Sequence, residues 1–184
     1  MPQTALRQRL ADLTASIAGR PLDAALDAWL NTTHGAGSAS FDGLVAACRQ
    51  GVTEGWLCNR EGGGIRYGRI FKPADDLHGF SVDVVDMAAP RWAAPSKRPP
   101  PRGDDGGTPP SGGEQDHIAG PHHAHPLGEI DLIMPVEGEA CFDGRPAGWL
   151  VCPPGSAHRP TVSGGRALVL YLLPEGRIDF SAAA

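Results

Sequence analysis

Two histidines and a glutamate are closely spaced in the segment GPHHAHPLGEIDLIMPVEGE, which spans residues 120–139. In an extended strand alternate side chains share a face, so His123 and His125 are expected to project to the same side. A short turn through residues 126–128 can return the carboxylate of Glu129 towards both imidazoles. Two neutral imidazoles and one carboxylate are a ligand set for a divalent metal ion with open positions. The segment therefore requires a fold in which a strand, a tight turn and a second strand surround one point.

A second segment, GWLVCPPGSAHRPTV at residues 148–162, predicts a further ligand. Gly148 begins a short apolar strand, residues 153–155 predict a turn, and His158 follows three residues after Gly155. A histidine after such a turn suits a fourth ligand from a neighbouring strand. The two segments resemble the two signature motifs of the cupin superfamily, HxH-x3-E and G-x4-P-x-G-x2-H. This resemblance implies a small antiparallel jelly-roll barrel. It also implies four metal ligands, which are His123, His125, Glu129 and His158.

The first motif departs from the cupin pattern in length, and the second lacks its usual asparagine. Because Glu129 to Gly138 is longer than usual, Asp131 is a substitute acid, and Val162 stands near the place of the asparagine. Asp131 can face the same side as Glu129, and both are candidate catalytic residues for proton transfer. The alternative role of Asp131 is a hydrogen bond to a barrel turn. A pocket with the same residues but without a metal ion is a second interpretation of the motifs.

The composition is that of an ordinary globular protein of 184 residues, with room for one domain or for one domain and a helical appendage. A net charge of -5 argues against binding to nucleic acid or to an acidic membrane surface. No apolar run approaches the roughly 20 residues that span a bilayer. Because the N-terminus also lacks the apolar core of a secretion signal, we expect a cytoplasmic protein. The four cysteines form no C-x2-C pair, so a zinc knuckle is not predicted.

Hydrophobic periodicity predicts helices first and strands later. One helix is expected over residues 4–18 with Thr4 as its N-cap, a second from Pro21, and a third from Ser40 to about Gly51. Apolar and polar residues then alternate, which predicts strands within 65–73 and 79–87 and at 129–136, 139–143, 148–152 and 166–173. Glu137-Gly138, GGR and PEGR are predicted as turns.

The predicted fold class is α+β, with a helical N-terminal segment packed on a C-terminal cupin-type antiparallel β-barrel (jelly roll). The segment between the two groups of strands is rich in Pro, Gly and charge, which predicts a mobile loop. The expected organisation has four parts: a helical segment (1–55), first strands of the barrel (56–90), a mobile Pro/Gly-rich loop (91–119) and the cupin motif region (120–184).

Four strings give a closer resemblance, namely WLCNREGGGIRYGRIF, GPHHAHPLGEIDLIMP, GWLVCPPGSAHRPTV and ALVLYLLPEGRIDF. They resemble the bacterial 4-hydroxylaminobenzoate lyases of nitroaromatic degradation. The resemblance implies conversion of 4-hydroxylaminobenzoate and water to 3,4-dihydroxybenzoate (protocatechuate) and ammonia. This change is redox-neutral, so no nucleotide or flavin is expected, and the chain has no G-x-G-x-x-G fingerprint. A divalent metal ion is the expected cofactor, with Fe, Mn and Zn all compatible with the ligands.

A benzoate substrate requires a cation for its carboxylate and walls for its ring. The candidate substrate-binding residues are Arg66, Tyr67, Arg69 and Arg159, and Trp56 is a further candidate wall. Two alternatives remain open: a metal-dependent cupin dioxygenase, which would hold Fe(II) with the same ligands and act on an aromatic ring, and a non-catalytic cupin that binds a sugar or an effector ligand. A small aromatic substrate is the expected partner, and a homodimer is left open.

Overall fold

Three helices begin the chain in the computed structural model, which describes residues 2–93 and 116–181. They are α1 (Pro2–Ile17), α2 (Ala24–Thr33) and α3 (Ala39–Thr53). Asp23 caps α2 by accepting hydrogen bonds from the backbone N–H groups of the second and third helical residues, and Ser38 caps α3. The predicted starts were therefore wrong at Pro21 and Ser40, and Thr4 lies inside α1. The true caps carry oxygens that reach free N–H groups of the first helical turn.

Nine strands follow in the described ranges, and seven of them form one antiparallel sheet. They are β1 (Arg60–Gly62), β2 (Ile65–Phe71), β3 (Phe80–Ala88), β4 (His117–Ala119), β5 (His123–His125), β6 (Glu129–Phe142), β7 (Gly148–Cys152), β8 (Ser156–His158) and β9 (Thr161–Pro174). The large sheet has the order β1-β2-β3-β9-β6-β7, with β4 also paired to β9. Strands β5 and β8 form a separate two-stranded sheet. In the described residues the large sheet is an open path, since its pairing does not close β7 onto β1.

The central strands of the large sheet are buried on both faces over most of their length, and the two faces carry different side chains. On β6, Ile130, Leu132 and Met134 join an apolar core that also contains the inward side chains of the three helices. The intervening residues of β6, Asp131 and Ile133, are also buried and project to the opposite face. A second apolar core lies on that face and includes alternate residues of β9. The helices therefore cover one face of the sheet, and the polar residues of β6 lie on the other face beside the second apolar core.

Two predicted turns are parts of long strands. Glu137-Gly138 lies within β6, and the GGR sequence lies within β9. The register between the two strands shifts between Pro135 and Glu137 and again between Gly138 and Cys141. Gly138 and Gly164 have φ values of 68° and 71°, which let each chain bulge without ending its strand. Both sequences therefore mark backbone irregularities, but these irregularities are bulges within continuous strands and not turns between strands.

The predicted loop over 91–119 does not hold at its C-terminal end. Residues 117–119 form β4 and pair with residues 161–163 of β9, because this part of the chain can extend beside an unpaired strand edge. Residues 94–115 lie outside the described part of the chain.

The predicted α+β class is confirmed, with N-terminal helices packed on an antiparallel β-body. Helix α2 is fastened to β7 by side chains as well as by apolar packing. Asp27 accepts hydrogen bonds from Arg145 and from the backbone N–H of Val151, and Asn31 exchanges hydrogen bonds with the backbone of Trp149. No helix in the described ranges is long and apolar enough to cross a membrane.

Candidate metal centre and its cavity

The four predicted ligands come together because β5, a tight turn, β6 and β8 meet at one place. Strands β5 and β8 pair so that His123 lies opposite His158. The turn after β5 is closed by a 3.1 Å hydrogen bond from the Gly128 N–H to the His125 carbonyl, and Gly128 has a φ of 88°. Only a residue that tolerates positive φ fits here, so glycine lets the chain reverse directly before Glu129. The sequence predicted this arrangement of strand, turn and strand.

The ligand atoms of the four side chains all lie within 4.8 Å of one another. The Nε2 atom of His125 is 3.2 Å from Glu129 Oε1, and the Nε2 atom of His158 is 3.6 Å from the same oxygen. The Nε2 atoms of His123 and His158 are 3.1 Å apart, and His123 Nε2 is 3.8 Å from Glu129 Oε2. Ligands held about 2.0–2.1 Å from one ion in tetrahedral or octahedral geometry are separated by roughly 3.0–3.4 Å. The shorter separations in the cluster match this spacing, and the longer ones exceed it by a few tenths of an ångström for the pairs given above.

Partners behind the three imidazoles set their tautomers. His123 Nδ1 lies 3.2 Å from the carbonyl oxygen of Pro121, which can only accept, so this nitrogen donates. His158 Nδ1 donates to the Asp143 carboxylate at 2.5 Å. The Ser156 hydroxyl uses its proton on the Pro153 carbonyl, so it accepts from His125 Nδ1 at 3.0 Å. All three Nε2 atoms consequently direct lone pairs at the centre of the cluster.

This arrangement of lone pairs and charge suits a bound cation. His125 Nε2 and both oxygens of Glu129 are buried and have no hydrogen-bond partner within the described residues. Burial raises the pKa of Glu129, but hydrogen bonds and positive charge from the imidazoles of His123 and His125 outweigh burial and lower that pKa to about 2 when those rings are protonated. Glu129 is therefore an anion when a positive charge, from a protonated ring or a bound cation, lies beside it. Three lone pairs around one buried carboxylate repel one another unless a cation lies between them. The cluster can therefore bind a metal ion.

Asp131 differs from Glu129 although the two are neighbours on one face of β6. Burial, followed by the negative charge of Glu129, raises the pKa of Asp131 well above its usual range. Its Oδ1 atom has no hydrogen-bond partner among the described residues, and its Oδ2 atom is 4.0 Å from the thiol of Cys152. The carboxyl of Asp131 therefore keeps a proton where that of Glu129 does not.

A cavity of about 750 Å³ opens beside the cluster, and His123 belongs to both. Apolar side chains of the sheet form one wall, including Met87, Tyr171 and Leu173. Other parts of the lining come from residues 119–121 and 159–160 and from Ile178 and Phe180. This volume is typical of small-molecule sites, which are largely apolar with a few polar groups.

Comparison with known proteins assigns the family. The family model described as PnbB: 4-hydroxylaminobenzoate lyase matches residues 8–180. The chain belongs to the 4-hydroxylaminobenzoate lyase family. A 4-hydroxylaminobenzoate lyase of Pseudomonas putida is 28% identical over 179 residues, covering 94% of this chain and 92% of that protein. One from Nocardioides sp. (strain LMS-CY) is 30% identical over 161 residues, covering 84% and 80% respectively.

Among solved structures, a cupin-like protein from Thermotoga maritima is similar to this chain with a TM-score of 0.35 and 10% identity. The similarity covers 63% of this chain and 74% of that one. The family resemblance predicted from the four sequence strings is confirmed by the family match.

The candidate substrate-binding residues of this lyase-family chain are divided by the alternation of β2. Tyr67 and Arg69 line the cavity, and Arg159 lines it too. Arg66 points away and lies 3.5 Å from the carboxylate of Asp86, so the structure does not bring it to the cavity wall. Trp56 packs against the core beneath the helices. Adjacent residues of a strand face opposite ways, so Arg66 and Arg69 could not both reach one wall.

Several residues at the site were missed by sequence reasoning. Arg60 and Asp83 line the cavity, and Asp143 and Ser156 hold the backs of two imidazoles. Arg60 lies on the three-residue strand β1, which is too short for a periodic signal. Partners such as Asp143 are brought to the site by tertiary pairing, which no local spacing in the sequence records.

Proposed function

We propose that this chain converts 4-hydroxylaminobenzoate and water to 3,4-dihydroxybenzoate and ammonia. The observation that carries the proposal is a buried cluster of three histidines and a glutamate that opens, through His123, onto a cavity with apolar walls and arginines. The family match over residues 8–180 supports the same reaction. An aromatic ring with one carboxylate and one polar nitrogen substituent has the chemistry that these two regions require.

One row of side chains runs across the sheet from the cavity wall to the cluster. Arg69, Asp83, Tyr171 and Asp131 occupy paired positions on four adjacent strands, β2, β3, β9 and β6. With strands about 4.8 Å apart, the first and last Cα atoms of a flat row are about 14 Å apart. The long arginine side chain shortens the gap that a ligand must span. A para-substituted benzene ring fits this arrangement, with its carboxylate near Arg69 and its nitrogen towards the cluster.

Arginines at the wall are suited to the substrate carboxylate, because a guanidinium binds a carboxylate through two parallel hydrogen bonds. Arg69 donates from Nε to Asp83 at 2.9 and 3.1 Å and from Nη2 to the Gly176 carbonyl at 3.3 Å, and its Nη1 atom has no hydrogen-bond acceptor among the described residues. Arg159 donates only to the Gly120 carbonyl within those residues, at 3.4 Å. We assign the carboxylate to Arg69 and Arg159, with Arg60 near the opening and Tyr67 against the ring.

We further propose that the ion is a divalent metal, held by His123, His125, Glu129 and His158. Fe, Mn and Zn all accept three imidazole nitrogens and one carboxylate oxygen. When bound, such an ion supplies Lewis-acid polarisation of an oxygen and lowers the pKa of a coordinated water. The oriented tautomers and the anionic Glu129 are the contribution of the protein to that site.

The reaction also needs protons to be moved without any net transfer of electrons. The N–O bond breaks, and the ring carbon next to the one that bears the nitrogen gains a hydroxyl from water. Hydrolysis then replaces the C–N bond by a C–O bond as ammonia leaves. A proton must reach the departing hydroxyl oxygen, and protons must leave the attacking water and the ring carbon. Complete burial of Asp131 favours its protonated form, so we assign it the role of proton donor and acceptor at the inner end of the site.

The proposal is tested by incubating the purified protein with 4-hydroxylaminobenzoate and measuring 3,4-dihydroxybenzoate and ammonia. One ammonia per catechol is expected. Activity should be lost with a chelator and restored by one of the three metals. A His158→Ala variant should lose metal and activity, whereas His117→Ala, on the exposed side of β4, should retain both. Metal-free, correctly folded protein with full turnover would exclude the metal from the reaction.

The dioxygenase alternative uses the same ligands but consumes oxygen, so turnover under strict anaerobiosis separates the two. A lyase continues at an unchanged rate, whereas a dioxygenase stops. A non-catalytic cupin would bind benzoates in calorimetry yet release no ammonia from any aryl hydroxylamine.

A further inference from the structure

A short segment near the C-terminal end of the described chain lies against the strand that carries two of the ligands. Asp179 and Ala124 exchange two backbone hydrogen bonds, of 2.8 and 3.0 Å. Ala124 stands between His123 and His125, and the opposite edge of the same strand pairs with β8. Both edges of β5 are therefore hydrogen-bonded, which fixes the position of the segment relative to the two imidazoles.

Two apolar side chains of this segment line the cavity. Ile178 and Phe180 lie on either side of Asp179, and residues two apart in an extended chain project to the same side. The Phe180 ring centroid is 5.5 Å from that of His123, with the planes at 62°. Despite this contact, Phe180 is 57% exposed. Packing among the residues that the structure describes therefore does not account for a large apolar side chain at this position.

We propose that Phe180 is a specificity-determining residue that packs against the aromatic ring of the substrate, and that the Asp179–Ala124 bridge holds it there. The inference rests on the proposed function and deepens it. Aromatic pairs favour edge-to-face or offset arrangements with centroids about 4.5–7 Å apart, as His123 and Phe180 already show. A substrate ring entering beside His123 would cover the exposed part of Phe180 and release water from both apolar surfaces.

Substitutions at Phe180 test the contact directly. Phe180→Ala should raise KM for 4-hydroxylaminobenzoate roughly three- to tenfold, the equivalent of one lost aromatic pair. Phe180→Leu keeps most of the apolar volume without the ring and should give an intermediate value. The midpoint of thermal unfolding and the metal content should stay at their wild-type values, since the side chain is largely exposed. Trp92→Ala is the matched control, because Trp92 is another exposed aromatic and does not line the cavity.

The bridge is tested by comparing two substitutions of Asp179. Asp179→Pro removes the N–H that donates to Ala124, whereas Asp179→Ala keeps it and loses only the side-chain hydrogen bonds to Ser181. The proline variant should show the larger rise in KM and should also lose metal more readily to a competing chelator. Equal effects of the two variants would exclude the backbone bridge as the positioning element.

Calorimetry with 3,4-dihydroxybenzoate separates failure of this inference from failure of the proposed function. If the wild-type protein released no ammonia, the lyase assignment would fall, while its affinity for the benzoate would still report on the contact. An unchanged dissociation constant in Phe180→Ala would overturn the inference even in an active lyase. A parallel rise in that constant and in KM would support it.

Discussion

Replacing Asp143 with asparagine should weaken metal binding by reversing the tautomer of one ligand. The carboxylate of Asp143 accepts the Nδ1 proton of His158, which leaves Nε2 free to bind. An asparagine amide that turned its NH2 towards Nδ1 would favour the other tautomer, with the proton on Nε2 and directed at the centre of the cluster. The substitution otherwise changes little. Asp143 has a φ of 48°, which asparagine tolerates, and the remaining amide oxygen can still accept from the Thr161 N–H.

The size of the effect follows from the position of His158. It is the most exposed of the three histidines, with 16% of its side-chain surface accessible, so few packing contacts restrain its ring. Loss of such an orienting partner typically costs 10- to 100-fold in metal affinity, which is about 1.4–2.8 kcal/mol. We expect the upper part of that range, because the amide both removes a charge and favours the wrong tautomer.

Competition with a chelator of known affinity measures the dissociation constant of wild-type and variant protein under the same conditions. Asp75→Asn removes a carboxylate from the turn before β3 and serves as the control. Ser156→Ala should weaken binding less, because the fully buried ring of His125 is also restrained by its neighbours. A metal affinity for Asp143→Asn within twofold of wild type would refute the tautomer argument.

Three further predictions concern the carboxyl pair, the turn and the cavity wall. Because the pKa of Asp131 is raised in the folded protein, the unfolded chain releases this proton at a lower pH than the folded protein does. Asp131 therefore reduces the free energy of unfolding as pH rises above about 4. Metal-free Asp131→Asn should have a higher urea midpoint than metal-free wild type at pH 7 and no such advantage at pH 3. Gly128 has a φ of 88°, and a Cβ at this position would lie 2.7 Å from a side-chain carbon of Leu22, whereas Gly144, with a φ of 76°, has open space around it. In urea titration, Gly128→Ala should therefore lower the free energy of unfolding by about 1–3 kcal/mol more than Gly144→Ala does. Arg69→Met should raise KM for 4-hydroxylaminobenzoate by tenfold or more without changing metal content, and an unchanged KM would remove Arg69 from the carboxylate site.

Local patterns in the sequence predict the four residues of the cluster, but they do not predict the residues that surround them. The spacing of His123, His125 and Glu129 is set by strand alternation and one glycine turn, both of which are local. His158 was found because its turn follows a recognisable apolar strand. The partners of these ligands, such as Asp143, come from distant parts of the chain, and their role depends on tertiary pairing alone.

Element boundaries failed where two local signals competed. Pro21 and Ser40 are good helix-start residues, yet Asp23 and Ser38 carry the oxygens that accept from the first turn. Glu137-Gly138 predicts a turn because glycine with positive φ is common in turns, although long antiparallel strands accommodate it as a bulge. Whether Arg66 faces the cavity depends on which alternate residues of β2 project to that side. Alternation in the sequence shows that neighbouring residues face opposite sides but not which set faces the cavity.

The division of β6 between two buried faces has a consequence for changes in its length. Inserting or deleting one residue between Glu129 and Met134 would move every later side chain of that stretch to the opposite face. Asp131 would then enter the apolar layer beneath the helices, or the aliphatic side chains would enter the polar centre. The irregular part of the strand, from Pro135 to Cys141, already contains two offsets in pairing. Single-residue insertions and deletions should therefore be tolerated in the second half of this strand and should prevent correct folding in the first half.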